Sequence, residues 1–181
     1  KINIKKGDRV AAYMPNTIET VEAFIATTSL GGIWSSCSPD FGSKGVIERF
    51  SQINPKVLFI TDQYFYNGKK IDILKRLPEI LKLIPSIKNV VISNYPGKKF
   101  IKNKFKFKKI KFFKWNKLMQ INVEKINFKR FDFETELAIL YSSGTTGKPK
   151  CICHRSGGVL IQHMKEHQLH CNIKENDNVF Y

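Results

Sequence analysis

The chain has 181 residues, 42% of them hydrophobic and 12% aromatic, which suffices for one sizeable core and is too much for a disordered chain. The formal net charge is +16, yet residues 98–117 hold ten lysines and no acid, so the rest carries only +6. The basicity is therefore one local block rather than a field over the whole surface, and no apolar run nears the ~20 residues of a membrane-spanning helix.

Residues 5–8 (Lys-Lys-Gly-Asp) make a turn, and 9–13 read as a short buried strand stopped by Pro15. Asn16 is the expected helix cap, with Glu19 three residues on as a capping-box variant. Ile18, Val21, Phe24, Ile25 and Leu30 give that helix its apolar side, and Gly31-Gly32 ends it. Residues 33–37 are a second strand, leading into the loop Ser38-Pro39-Asp40-Phe41-Gly42. Residues 43–53 are a second helix with Val46, Ile47, Phe50 and Ile53 on one face, stopped at Asn54-Pro55. Strands are expected at 57–61 and 89–93, with a helix over 71–84 interrupted at Pro78. Near-continuous apolar strands alternating with helices predict an α/β fold: a mainly parallel sheet with helices on both faces. After Tyr95-Pro96-Gly97 the lysine block, partly alternating at 104–108, is expected to form a peripheral insert remote from any site. A buried strand follows at 137–142, a short strand at 151–154, a helix from Ser156 to about His170, and a further strand from Asn178.

The segment most informative for chemistry is Tyr141-Ser-Ser-Gly-Thr-Thr-Gly-Lys-Pro-Lys150, launched from a buried strand. Gly144 and Gly147 let backbone approach an anion closely. Ser142, Ser143, Thr145 and Thr146 offer hydroxyl donors, and Lys148 and Lys150 add positive charge. It is not a Walker A loop, because only two residues separate its glycines and Pro149 follows Lys148.

This string resembles the phosphate-binding loop of the adenylate-forming superfamily, which includes acyl-CoA synthetases, luciferases and peptide-synthetase adenylation domains. Gly7-Asp8-Arg9-Val10 and Tyr13-Met14-Pro15-Asn16 extend the likeness. A narrower likeness, to the acetoacetate–CoA ligases, is carried by Trp34-Ser-Ser-Cys-Ser-Pro-Asp-Phe-Gly42, Arg49-Phe50, Pro55-Lys56-Val57-Leu58 and Tyr66-Asn67-Gly68-Lys69, with His154, Gly157, Gly158 and His163 beyond. The resemblance implies part of an N-terminal adenylation domain spanning residues 1–181, with the C-terminal domain absent. It implies an acid–thiol ligase that activates acetoacetate with ATP, then passes the acyl group to CoA, releasing AMP and pyrophosphate. Ser142, Ser143, Gly144, Thr145, Thr146, Gly147, Lys148 and Lys150 would hold ATP phosphates, and Tyr66 and Lys69 would lie near CoA. Mg²⁺ and the catalytic residues would be served mostly outside this segment, leaving it inactive alone. A ligase for acetate or another short acid is the enzyme alternative, and a basic nucleic-acid-binding module is the alternative of a different class.

Other constellations carry less. His163-Met-Lys-Glu166-His167 matches H-x-x-E-H, but a zinc site needs a third ligand and the simpler reading is a polar helix face. Cys151-Ile-Cys153-His154 lacks C-x₂-C spacing, and its cysteines are expected on opposite sides of a strand. With Cys37 and Cys171 they lack a disulfide framework, which predicts free thiols in a reducing cytoplasm. Phe105, Phe107, Phe112, Phe113 and Trp115 within the lysine block form the covered side of a lobe in preference to a base-stacking surface. A first residue of Lys and the apolar Val179-Phe180-Tyr181 lead to the expectation of an internal piece of a longer protein.

Overall fold

The computed structural model describes residues 2–98, 105, 107–122, 128–142 and 147–180. Strands β1 (Arg9–Tyr13), β2 (Ile33–Cys37), β3 (Val57–Thr61) and β6 (Asn89–Ser93) have the bounds and parallel directions that the hydrophobic pattern predicts. With β7 (Lys111–Lys114), β8 (Glu136–Ser142) and β9 (Lys150–Arg155) they form one sheet in the order β7-β6-β3-β1-β2-β8-β9. Only β9 runs antiparallel, against β8.

Alternation along the strands divides the core into two layers. Ala11, Tyr13, Cys37, Leu58, Ile60, Val90 and Ile92 face helices α2 (Ser43–Ile53) and α3 (Leu77–Leu83). Val10, Ala12, Trp34, Val57, Val91 and Ala138 face the side of α1 (Ile18–Ser29) and α4 (Trp115–Met119). The first layer is sealed most tightly: Tyr13, Val46, Phe50, Leu58, Ile60, Leu77 and Ile80 are all 0% exposed. The predicted face of α2 is the buried one, with Val46, Phe50 and Ile53 inside and Ile47 partly covered.

Several local expectations are corrected. Helix α1 is capped at Thr17, not Asn16, with no side-chain cap; Thr20 Oγ1 donates instead to the Pro15 carbonyl at 2.7 Å. The helix meets the sheet through Ala23 and Thr27, whose small side chains permit close approach, while Ile18, Val21, Ile25 and Leu30 lie exposed. The helix expected over 71–84 is shorter, because residues 63–72 are a hairpin of β4 (Gln63–Tyr66) and β5 (Lys69–Asp72). Its Asn67 and Gly68 both have positive φ, the turn chemistry of a two-residue hairpin. A single 3₁₀ turn (Leu74–Arg76) leads into α3, where Pro78 sits in the first turn and starts the helix, since no intrahelical donor is needed there. Strand β8 is less buried than its apolar sequence suggests: Ala138 is covered but Leu140 is half-exposed. Helix α5 (Ser156–Lys165) continues into a π-helical turn (Glu166–His170), as the expected end near His170 requires. Residues 178–180 form no strand; Phe180 finds no packing among the described residues and is fully exposed.

Within the lysine block, 111–114 are the outermost strand of the main sheet, pairing with β6, and Phe112 and Phe113 face opposite core layers. Residues 99–104 and 106 of the block, which include Lys104 and Lys106 of the alternating stretch, lie outside the described residues.

Candidate functional site

All six parallel strands present their C-terminal ends along one edge, where loops of open α/β sheets collect ligands. The chain passes from β1 to β2 on one side and returns to β3 on the other, so β1 is a topological switch point. A cleft of about 480 Å³ opens at this edge, lined by Met14, Pro15, Asn16, Ser38, Tyr64 and Tyr95 among others.

The flanks of the Gly/Ser/Thr/Lys string, Ser142 and residues 147–150, lie at the same edge, at the end of β8 and the start of β9. Ser142 closes β8 and pairs with Lys150 at the start of β9. Ser143, Gly144, Thr145 and Thr146 lie outside the described residues. Gly147, at φ +110°, takes a backbone conformation that a side chain would disfavour. Gly147, Lys148 and Lys150 are exposed, while Pro149 is buried. The short antiparallel return thus sets two lysines and Ser142 beside one another at the mouth of the sheet.

The base of this string is sealed by residues that its composition alone does not reveal. The Ser35 hydroxyl donates to the Ile139 carbonyl at 2.8 Å and lies 3.0 Å from the Tyr141 hydroxyl. The Tyr141 ring packs at 6.5 Å from Phe50, and the Arg49 guanidinium carbon lies 5.9 Å from the Tyr141 ring centre and 4.1 Å from that of Phe41. Gln52 Nε2 donates to the Pro149 carbonyl at 2.9 Å. Arg49 was visible in sequence only as part of a resemblance, and Gln52 carried no signal. Burial raises the Tyr141 phenol above its ordinary value, and burial likewise pushes the Cys37 thiol up to about 12. Both stay uncharged at neutral pH, so the floor of the site adds no negative charge against an incoming anion.

The loop at 38–42 is held separately. Arg76 Nη1 donates to the Tyr13 hydroxyl oxygen, to the Pro39 carbonyl at 3.0 Å and to the Phe41 carbonyl at 2.9 Å. Tyr66 and Lys69 are brought together as a cross-strand pair of the β4–β5 hairpin, and both are exposed. The hairpin follows β3, which lies three strand spacings, about 14 Å, from β8 along the same edge. It leans on the loop after β6 through Phe65 and Tyr95, whose rings are 5.3 Å apart, and through Asp62, which accepts the Tyr95 backbone N–H at 2.8 Å.

His163 and His167 stack at 6.0 Å on one helix side, and Glu166 pairs with Lys165 and Gln162. Among the described residues no group of three or more His, Cys, Asp or Glu side chains could hold a metal ion. Ser142, Gly147, Lys148, Pro149 and Lys150 include no carboxylate, so no Mg²⁺ ligand is assigned among them. Cys151 and Cys153 pair with Tyr141 and Ile139, which places both thiols on the same side of the sheet, because residues two apart on a strand share a face. All four cysteines are free. No helix of the described residues is long and apolar enough to cross a membrane.

A family model described as AMP-binding enzyme matches residues 1–181. The acetoacetyl-CoA synthetase of Gallus gallus is 44% identical over all of the chain, which covers 27% of that protein. The acetoacetyl-coenzyme A synthetase of Rhizobium meliloti is 42% identical over 98% of the chain, again covering 27% of the relative. The solved structure of acetoacetyl-CoA synthetase from Streptomyces lividans superposes with a TM-score of 0.84 at 36% identity, over 96% of this chain and 26% of that one. The chain therefore spans about a quarter of the length of the relatives it matches.

Proposed function

Since the chain belongs to the AMP-binding enzyme family, we propose that it is part of an acetoacetate–CoA ligase and supplies that enzyme's ATP-phosphate cradle and one wall of its CoA site. In the first half-reaction an acetoacetate carboxylate oxygen bonds to the α-phosphorus of ATP while the α–β bridging bond breaks, giving acetoacetyl-adenylate and pyrophosphate. In the second, the CoA thiol loses its proton and its sulfur displaces AMP from the acyl carbon. Charge accumulates on the β- and γ-phosphates as pyrophosphate leaves, so donors already aimed at them lower that barrier.

The residues assigned to this task are Ser142, Ser143, Gly144, Thr145, Thr146, Gly147, Lys148 and Lys150. Tyr66 and Lys69 are assigned to the CoA nucleotide, where a ring and an ammonium one hairpin rung apart suit a base and a phosphate. The observation that carries the reading is a hydroxyl- and lysine-bearing string whose flanks, Ser142 and Lys150, pair at the C-terminal edge, in a chain 42–44% identical to acetoacetyl-CoA synthetases. The four free thiols, two of them exposed on β9, suit a reducing compartment such as the cytoplasm. When bound, Mg²⁺ would neutralise phosphate charge through ligands mostly outside this chain.

Exchange of labelled pyrophosphate into ATP by the intact protein tests the reading. Acetoacetate-dependent exchange is expected. Exchange with acetate alone would move the assignment to another short acid, and ADP with phosphate as products would overturn adenylation.

A further inference from the structure

The phosphate string has two flanks, and a single helix touches both. On the incoming side, Tyr141 is wedged against Phe50 and beneath the Arg49 guanidinium, with its hydroxyl beside Ser35. On the outgoing side, the Pro149 carbonyl accepts from Gln52. Pro149 has no backbone N–H, so its carbonyl is the one backbone group through which it can be tied, and Gln52 takes it. Arg49, Phe50 and Gln52 all belong to the last two turns of α2. That helix cannot drift, because Val46 and Phe50 are 0% exposed and Ile53 is 5% exposed. Arg49 is itself oriented by its Nη1 bond to the Gly45 carbonyl at 2.9 Å and by the Phe41 ring. Gln52 is likewise braced by the Glu48 carbonyl at 2.8 Å.

We propose that Arg49 and Gln52 are positioning residues, which clamp the two flanks of the string to the core and thereby set where Ser142, Lys148 and Lys150 meet the leaving pyrophosphate. The proposal rests on the phosphate-binding reading given above and deepens it. Gln52 is an exposed side chain with little apolar burial, so its removal changes global stability little. Its effect falls on position, and a displacement of about 1 Å at a reacting group can lower a rate by as much as 10²-fold.

The test uses the intact protein with Gln52→Ala, Gln52→Glu and Gln52→Lys. The Ala and Glu variants lose the donor; the Lys variant keeps one at comparable reach. Acetoacetate-dependent pyrophosphate–ATP exchange is expected to fall about tenfold in the first two and to recover in the third, with an unchanged thermal midpoint. Arg49→Met is expected to act in the same direction and Arg49→Lys to retain most activity. Unaltered exchange in Gln52→Ala overturns the clamp, as does a loss that tracks the melting temperature in all three variants. Amide hydrogen exchange at Lys148, Lys150 and Cys151 decides the matter independently of turnover. These amides are expected to exchange faster in Gln52→Ala, and equal rates overturn the proposal. If the unaltered protein shows no acetoacetate-dependent exchange, the functional reading fails while the amide comparison still judges the clamp.

Discussion

The Arg76 guanidinium donates to the Tyr13 hydroxyl oxygen across 63 residues of sequence, tying the 3₁₀ turn before α3 to the end of the central strand β1. The same guanidinium nitrogen reaches the Pro39 and Phe41 carbonyls, so one side chain secures the loop that follows β2. Arg76→Ala is expected to destabilise the protein by about 1–3 kcal/mol, the cost of leaving partly buried acceptors without a donor. Tyr13→Phe removes one partner of the same cluster. Chemical unfolding of both single variants and the double variant is expected to show non-additive losses, and strict additivity would show that the two groups act separately.

Loss of charge or donors in the string should act on chemistry more than on acid binding. Lys148→Ala and Thr146→Ala in the intact protein are expected to lower pyrophosphate exchange about 10²- to 10³-fold. Acetoacetate affinity is expected to change little, because phosphate charge grows only as pyrophosphate departs. Parallel titration of acetoacetate and rate measurement checks the split.

The basic edge of the sheet should be irrelevant to ATP. Strand β7 is five strand spacings from β8, about 24 Å, against a Debye length of about 8 Å at physiological salt. Replacing the exposed Lys108, Lys109, Lys111 and Lys114 together with Gln is expected to leave the KM for ATP within about twofold at 0.15 M salt. A large rise in that KM would show that the block steers nucleotide.

Cys37 should be the silent thiol. It is 4% exposed, and burial pushes its thiol from an ordinary 9.0 up to about 12. Iodoacetamide at pH 8 is expected to modify the exposed Cys151, Cys153 and Cys171 and to reach Cys37 only on unfolding. The native state holds the Cys37 proton above pH 9, where the unfolded chain releases it. This contribution to stability is therefore complete below pH 9 and is lost as pH rises toward 12. The buried phenols of Tyr13 and Tyr141, also raised mainly by burial, extend the loss in the same direction. Urea midpoints between pH 8 and 11 should fall, and less steeply in Cys37→Ala.

Gly31 should resist substitution. It sits at φ +77°, and a Cβ there would come within 2.7 Å of the Phe131 ring. Gly31→Ala is expected to cost about 1–3 kcal/mol from backbone conformation alone, measured by thermal unfolding. Adding Phe131→Ala should relieve the contact and leave the conformational cost.

What the sequence determined by itself was whatever short-range physics encodes. Strands at 9–13, 33–37, 57–61 and 89–93 were legible because each is a compact apolar run bounded by turn residues, with helical periodicity between. The buried face of α2 followed from Val46, Phe50 and Ile53, and the candidate phosphate site from the glycines, hydroxyls and lysines of one string. The Asn67-Gly68 turn was equally local, but the apolar run after it read as helix and hid the hairpin. Tertiary structure alone decided that β2 and β3 flank β1 on opposite sides and that β9 returns antiparallel, because strand order depends on how crossovers pack. It also turned α1 onto Ala23 and Thr27 and left Ile18, Val21 and Ile25 outward, since hydrophobicity marks which residues prefer burial but not which neighbour will cover them. The meeting of Gln52 with Pro149, 97 residues apart, has no sequence signature, for a side-chain amide and a carbonyl become partners only when the fold brings their elements into contact.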